Sequence, residues 1–438
     1  MTLTTPITVV RGRFLDIQKT VSQAQDIIDQ VRYIEDGVLI AKQGQIRWFG
    51  SWDDAQAHLP ANVEIQHYPE QLIIPGMIDT HIHFPQTEMV GAYGEQLLSW
   101  LNTYTFPTEI QFQDPSYAQK IAEFFIQELL KNGTTTALVF CTVHPESVDA
   151  LFEAAAQQQM RLIAGKVMMD RHAPEALCDT AESAYEDSKA LIGKWHGQGR
   201  ALYAITPRFA PTSTPEQLER AGQLKAEFPD VYVHTHLSEN KDEIAWVKDL
   251  FPEQKGYLDV YHHYGLTGNR SVFAHCVHLE DAEWQCMHET DSAIAFCPTS
   301  NLFLGSGLFP LKKTWQQQVK VGLGTDIGAG TSFSLLQTVN EAYKVQQLQG
   351  DKLSAFESLY HATLGGAKAL DLDNKLGNFN VGKEADFVVL NLKPTALQQL
   401  RQSRAKSLED SLFALFTMGD DRNIEATYIY GQKAYSQS

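Results

Sequence analysis

Eight short apolar runs, separated by helix-length segments, constrain this chain more than any other feature. The first, Leu72-Ile73-Ile74, leads into Pro75-Gly76-Met77-Ile78-Asp79-Thr80-His81-Ile82-His83 and reads with it as one buried strand. The others are Thr134–Phe140, Leu162–Met169, Ala201–Ile205, Val231–His236, Ser271–His275, Ala293–Cys297 and Val319–Asp326. Strands alternating with helices predict a parallel sheet, and eight such units close into a (β/α)8 TIM barrel. Asp114-Pro115 predicts the N-cap and first turn of one connecting helix, which Asn132-Gly133 ends. The segment Phe84–Gln113 is expected to cover a strand end and supply contacts there.

The flanks have a different rhythm. Residues 1–70 read as short strands and turns, with a hairpin around Gly44. Beyond Asn374, Val381–Leu390 and Ile424–Gly431 read as strands, and Leu408–Phe416 as a helix capped by Ser407. Neither flank buries much surface alone. They are therefore expected to pair into one composite β-sandwich domain, residues 1–70 with 376–438, beside a barrel spanning 71–375.

Lys and Arg number 35 against 53 Asp and Glu, a net charge of -18. That balance argues against a nucleic-acid partner and fits a neutral small-molecule substrate. The five cysteines contain no C-x-x-C pair, so neither a disulfide framework nor a cysteine zinc knuckle is indicated. No run reaches membrane-spanning length, and Met1–Val10 has no signal pattern. A cytoplasmic protein with no membrane partner is expected.

The polar residues at the predicted C-terminal strand ends are His81, His83, Arg208, His236, His275 and Asp326. Catalytic groups of such barrels gather at that rim. Three imidazoles and a carboxylate suit one divalent transition metal, most simply zinc, with iron also suited. His234 and His236 share a strand face, so spacing alone does not choose between them. Lys166 lies within strand three and strand four ends in Arg208, which argues against a lysine-bridged pair of metals.

These stretches resemble a known family. Pro75–His83 is similar to the opening motif of the amidohydrolase superfamily, His234-Thr235-His236-Leu237-Ser238-Glu239 to its strand-five motif, and Gly324-Thr325-Asp326 to its strand-eight aspartate. Val381–Leu390 resembles its C-terminal β segment. Within the superfamily, His83-Phe84-Pro85-Gln86, Trp100–Pro107, Asn132–Thr136, Gly165–Asp170 and Pro207-Arg208-Phe209 are most similar to the guanine deaminases.

The resemblance implies one zinc ion on His81, His83, His236 and Asp326, with His234 one layer deeper as support. It implies attack of an activated water on C2 of guanine, giving xanthine and ammonia. Glu239 would protonate the ring nitrogen, Asp326 would take the proton of the water, and His275 would stabilise the oxyanion. Gln86, Arg208 and Phe209 would hold the purine. A homodimer is implied as well. Two other readings stay open at this point. A sibling hydrolase would act on an oxidised guanine, an adenine derivative or a chlorinated triazine. A non-catalytic scaffold predicts missing ligands, whereas His81, His83, His236, Glu239, His275 and Asp326 are all present.

Overall fold

The computed structural model describes residues 7–93 and 97–437. Residues 1–6 of the N-terminal stretch and 94–96 of the segment Phe84–Gln113 lie outside the described residues. The N-terminal part supplies β1 (Ile7–Ile17), β2 (Val31–Lys42), β3 (Gln45–Ser51) and β4 (Ile65–Pro75). The barrel strands follow: β5 (Met77–His83), β6 (Thr134–Phe140), β7 (Arg161–Gly165), a short β8 (Val167–Met168), β9 (Ala201–Pro207), β10 (Tyr232–Leu237), β11 (Ser271–His275), β12 (Ala293–Phe296) and β13 (Lys320–Leu323). The chain ends with β14 (Phe387–Leu390), β15 (Ile424–Ile429) and β16 (Gln432–Ser436).

Strands β5, β6, β7, β9, β10, β11, β12 and β13 pair in that order, all parallel. The circle is completed beyond β13: the Asp326 N–H donates to His81 O at 2.9 Å, and the His83 N–H to Ile327 O at 3.0 Å. Inside the barrel, Ile78, Leu138, Ile163, Ala204, Tyr232, Val272 and Ala295 pack together. Ala367 and Ala369 of the helix Leu364–Ala369 join that cluster, and the Tyr232 hydroxyl donates to Leu370 O at 2.6 Å.

The termini pair as expected. They form one seven-stranded mixed sheet, in the order β16-β15-β14-β4-β1-β2-β3. Alternation gives it two apolar faces. Val10, Phe14, Ile46, Ile73, Phe387, Val389 and Tyr428 share one cluster, so strands distant in the sheet order meet as it curls over. Leu72, Ile74, Val388 and Leu390 point the other way, into the main core with Phe125, Ile126 and Leu129 of the helix Pro115–Lys131. That helix is capped as expected, with Ser116 N donating to Asp114 Oδ1 at 2.9 Å.

Two strands differ from expectation. Leu72-Ile73-Ile74 belongs to β4 of the mixed sheet, not to the first barrel strand. A run buried on both faces reads the same in either sheet. The change of sheet falls at Gly76, where an added Cβ would lie 1.9 Å from Thr135 Oγ1, so only glycine lets the backbone pass. Strand three also breaks at Lys166, whose ammonium is buried against Asp179 and Val167 O. β8 then pairs with the end of β9.

Candidate active site

The ends of the barrel strands bring the singled-out residues to one place. The pairing of β5 with β6 slips by one residue between Asp79 and Ile82. Such a bulge re-aims the side chains beyond it, and here His81 and His83 turn inward, with ring centroids 5.0 Å apart. Asp79 anchors the bulge. It accepts from His81 N at 3.2 Å and from Thr325 N at 3.1 Å, as well as from the Thr325 hydroxyl. Burial pushes its carboxyl up to about 7. His275 and Asp326 adopt left-handed backbone, with φ of 71° and 52°. Non-glycine residues held there carry strain, which gathers at functional sites.

Four nitrogens and oxygens converge. His83 Nε2 and His236 Nε2 are 3.1 Å apart, and Asp326 Oδ1 lies 3.1 Å from His81 Nε2 and 3.4 Å from His83 Nε2. Two donors about 2.0–2.1 Å from a tetrahedral zinc would stand about 3.3 Å apart. His81, His83 and His236 form one possible ligand group, and His81, His275 and Asp326 an overlapping one. His81 Nε2 is buried with no hydrogen-bond partner among the described residues, which is costly unless a cation takes its lone pair. Burial, followed by the neighbouring cationic forms, holds His81, His83 and His236 well below the usual histidine range. They are neutral, the form that binds metal. The donor set fits a divalent metal.

Supports behind the donors set their orientation. His236 Nδ1 faces Arg208 O at 2.6 Å, which turns its Nε2 lone pair toward the cluster. His81 Nδ1 meets His234 Nε2 at 2.8 Å, so His234 sits behind a donor rather than among them.

His275 differs from the other rings. Its Nδ1 is 2.9 Å from Asn301 Oδ1, and its Nε2 is 3.5 Å from Glu239 and 3.7 Å from Asp326. Burial opposes its charge, but the Glu239 and Asp326 carboxylates outweigh burial and raise its pKa. Burial in turn raises the carboxyls of Glu239 and Asp326. Glu239 precedes the helix Lys241–Leu250, whose capping box pairs Asn240 with Glu243. Ser306 Oγ donates to Glu239 Oε1 at 3.0 Å.

The pocket above these groups is lined by His83, Gln86, Trp100, Arg208, Phe209, Glu239, His275 and Asp326, among others. Sequence reasoning missed Glu109, Glu243 and Ser306. Glu109 receives Gln86 and Arg208 from behind the pocket wall. A signal for it exists: Phe106, Glu109 and Phe112 recur every third residue and are all buried, so the acid lies on an apolar helical face.

Residues 72–434 match the amidohydrolase family. The chain belongs to that family. As a member it is 62% identical to the guanine deaminase of Escherichia coli (strain K12), over 98% of both chains. The solved structure of E. coli guanine deaminase superposes with a TM-score of 0.96 at 60% identity, covering 99% of this chain and 100% of that one. A guanine deaminase from C. acetobutylicum, with guanine bound in its active site, superposes at 0.88 with 31% identity, covering 98% and 100%. Amidohydrolases typically use a metal, and the His/Asp cluster at this rim is where one fits.

Proposed function

We propose that this chain deaminates guanine hydrolytically, giving xanthine and ammonia. The observation that carries the reading is that the donor cluster, Glu239 and the Gln86–Arg208 edge all open into one pocket. The likeness to guanine deaminases over nearly the whole chain supports it.

His81, His83, His236 and Asp326 would hold one zinc ion per chain, a donor set rich in imidazole that suits this metal. When bound, it supplies the Lewis acidity that makes a hydroxide nucleophile available near neutral pH. The rest falls to side chains. Attack at C2 makes that carbon tetrahedral and moves an electron pair onto N3. Glu239, its carboxyl raised by burial, delivers a proton to N3. Asp326 accepts the proton that the nucleophile sheds. His275, whose pKa the Glu239 and Asp326 carboxylates raise against burial, faces the new oxyanion. Collapse expels the amine as ammonia after a second proton has passed through Glu239. Gln86 and Arg208 bind the six-membered ring's oxo edge, and Phe209, whose ring stands edge-on to Trp246, packs on the purine.

A cytoplasmic homodimer serving guanine catabolism completes the reading. It is supported by the family resemblance and by five free cysteines, and no helix among the described residues is long and apolar enough to cross a membrane. The test is ammonia release by metal-analysed protein offered guanine, adenine, cytosine and 8-oxoguanine. Strong preference for guanine with one zinc per chain is expected. Activity on another ring alone would keep the metal chemistry and discard the roles of Gln86 and Arg208.

A further inference from the structure

Glu109 has no exposed surface and stands behind the pocket wall. Its Oε1 accepts from Gln86 Nε2 at 3.2 Å and from Arg208 Nη1 at 3.0 Å, and its Oε2 accepts from the same Nη1 at 2.7 Å. Behind Gln86, the Gly328 N–H donates to Gln86 Oε1 at 3.1 Å. A carboxylate accepts and never donates, whereas a backbone N–H only donates. Between them they leave the Gln86 amide one orientation: its NH2 toward Glu109, its carbonyl toward Gly328. The guanidinium is oriented in the same way. Nη1 is spent on Glu109, while Nε and Nη2 make no hydrogen bond to a described residue and belong to a side chain that lines the pocket.

We propose that Glu109 is a positioning residue that sets the hydrogen-bond polarity of the purine-binding edge. Through it, Arg208 and Gln86 present N–H donors, which select a 6-oxo purine over a 6-amino purine. The inference rests on the function proposed above and adds the source of its selectivity. An oxo group accepts from such an edge. An amino group would set donor against donor and leave the pocket-facing N–H groups of Arg208 without an acceptor, which costs more than a lost contact. The charge of Glu109 also offsets that of Arg208, which is 3% exposed.

Glu109→Gln preserves volume, but its amide donates as well as accepts, so it no longer fixes either partner. Hypoxanthine and purine share the ring system, differ at the 6-oxo group, and carry no 2-amino group to lose. Calorimetric binding of each to metal-loaded protein reads the edge without turnover. The Gln variant is expected to bind hypoxanthine about tenfold more weakly while purine hardly changes. Guanine KM is expected to rise by a similar factor with kcat near parental and metal content to hold, while the unfolding midpoint falls because the buried Arg208 charge loses its partner. Glu109→Asp keeps the charge and the acceptor character, and is expected to recover part of the preference. It carries the same ratio test if the Gln variant does not fold. Equal weakening of both ligands, or an unchanged hypoxanthine-to-purine ratio, overturns the assignment. Failure of the parental protein to release ammonia from guanine would instead sink the proposed reaction, and the binding ratio would still judge Glu109.

Discussion

The two ends of the barrel handle buried polarity in different ways. At the C-terminal rim, imidazole nitrogens face one another and Asp326 and Glu239 share His275, with the buried Arg208–Glu109 pair beside them. At the N-terminal end, opposite charges meet. Arg161 at the start of β7 donates from Nε to Glu384 Oε2 at 2.9 Å. Arg200, just before β9, donates to the same Glu384 oxygen at 2.6 Å and to Asp386 Oδ1 at 3.1 Å. These acids precede β14, so the pairs join the barrel to the mixed sheet. One end matches its carboxylates with the protein's own guanidinium groups. The other leaves lone pairs for a cation and donors for a ligand.

This contrast is sharpest under substitution. Glu239→Gln should lower turnover by about 10²–10⁴-fold, with metal content and urea midpoint at parental values. Turnover at the parental rate would remove Glu239 from proton transfer. Arg200→Ala, at the other end, should do the reverse. It leaves buried Asp386 without its guanidinium partner, while Arg161 still holds Glu384, and should cost about 3–5 kcal/mol of stability, while kcat per folded molecule stays parental. A loss of kcat with unchanged urea unfolding would erase the division of labour.

Removing the metal should destabilise by about 2.7 kcal/mol when free metal had stood a hundredfold above its Kd. Calorimetry of parental and Arg200→Ala proteins, with and without chelator, should give the same decrement, since distant sites add. A larger decrement in the variant would mean that the ends are coupled.

The smallest effect concerns acid. Burial raises the Glu384 carboxyl, but Arg200 and Arg161 outweigh it and hold it below the ordinary carboxylate value. A folded-state value below the unfolded one adds stability above the unfolded pKa, and that stability is lost as pH falls through the folded pKa. Urea unfolding below about pH 4.5 should therefore steepen with acid, and Glu384→Gln should make that slope shallower.

The rim was legible in sequence because its donors sit on motifs at strand ends, and the alternation of β5 and β10 fixes which side chains share a face. The supports were less legible. Glu109 reaches Arg208 across 99 residues, and no local pattern joins them. Strand three reads as continuous because a buried lysine is invisible until Asp179 is seen beside it. Leu72–Ile74 reads as barrel because burial on both faces carries no record of which sheet supplies it.

That last run has a consequence for modularity. From Ile65 the chain crosses the mixed sheet as β4, turns at Gly76 and reaches His81 five residues later. No linker intervenes to absorb a mismatch. A grafted or shuffled sheet whose β4 arrived a fraction of an ångström out of line would pass the error straight to His81 and the donor cluster. Chimeras of this family would then sort by metal retention before any substrate was offered.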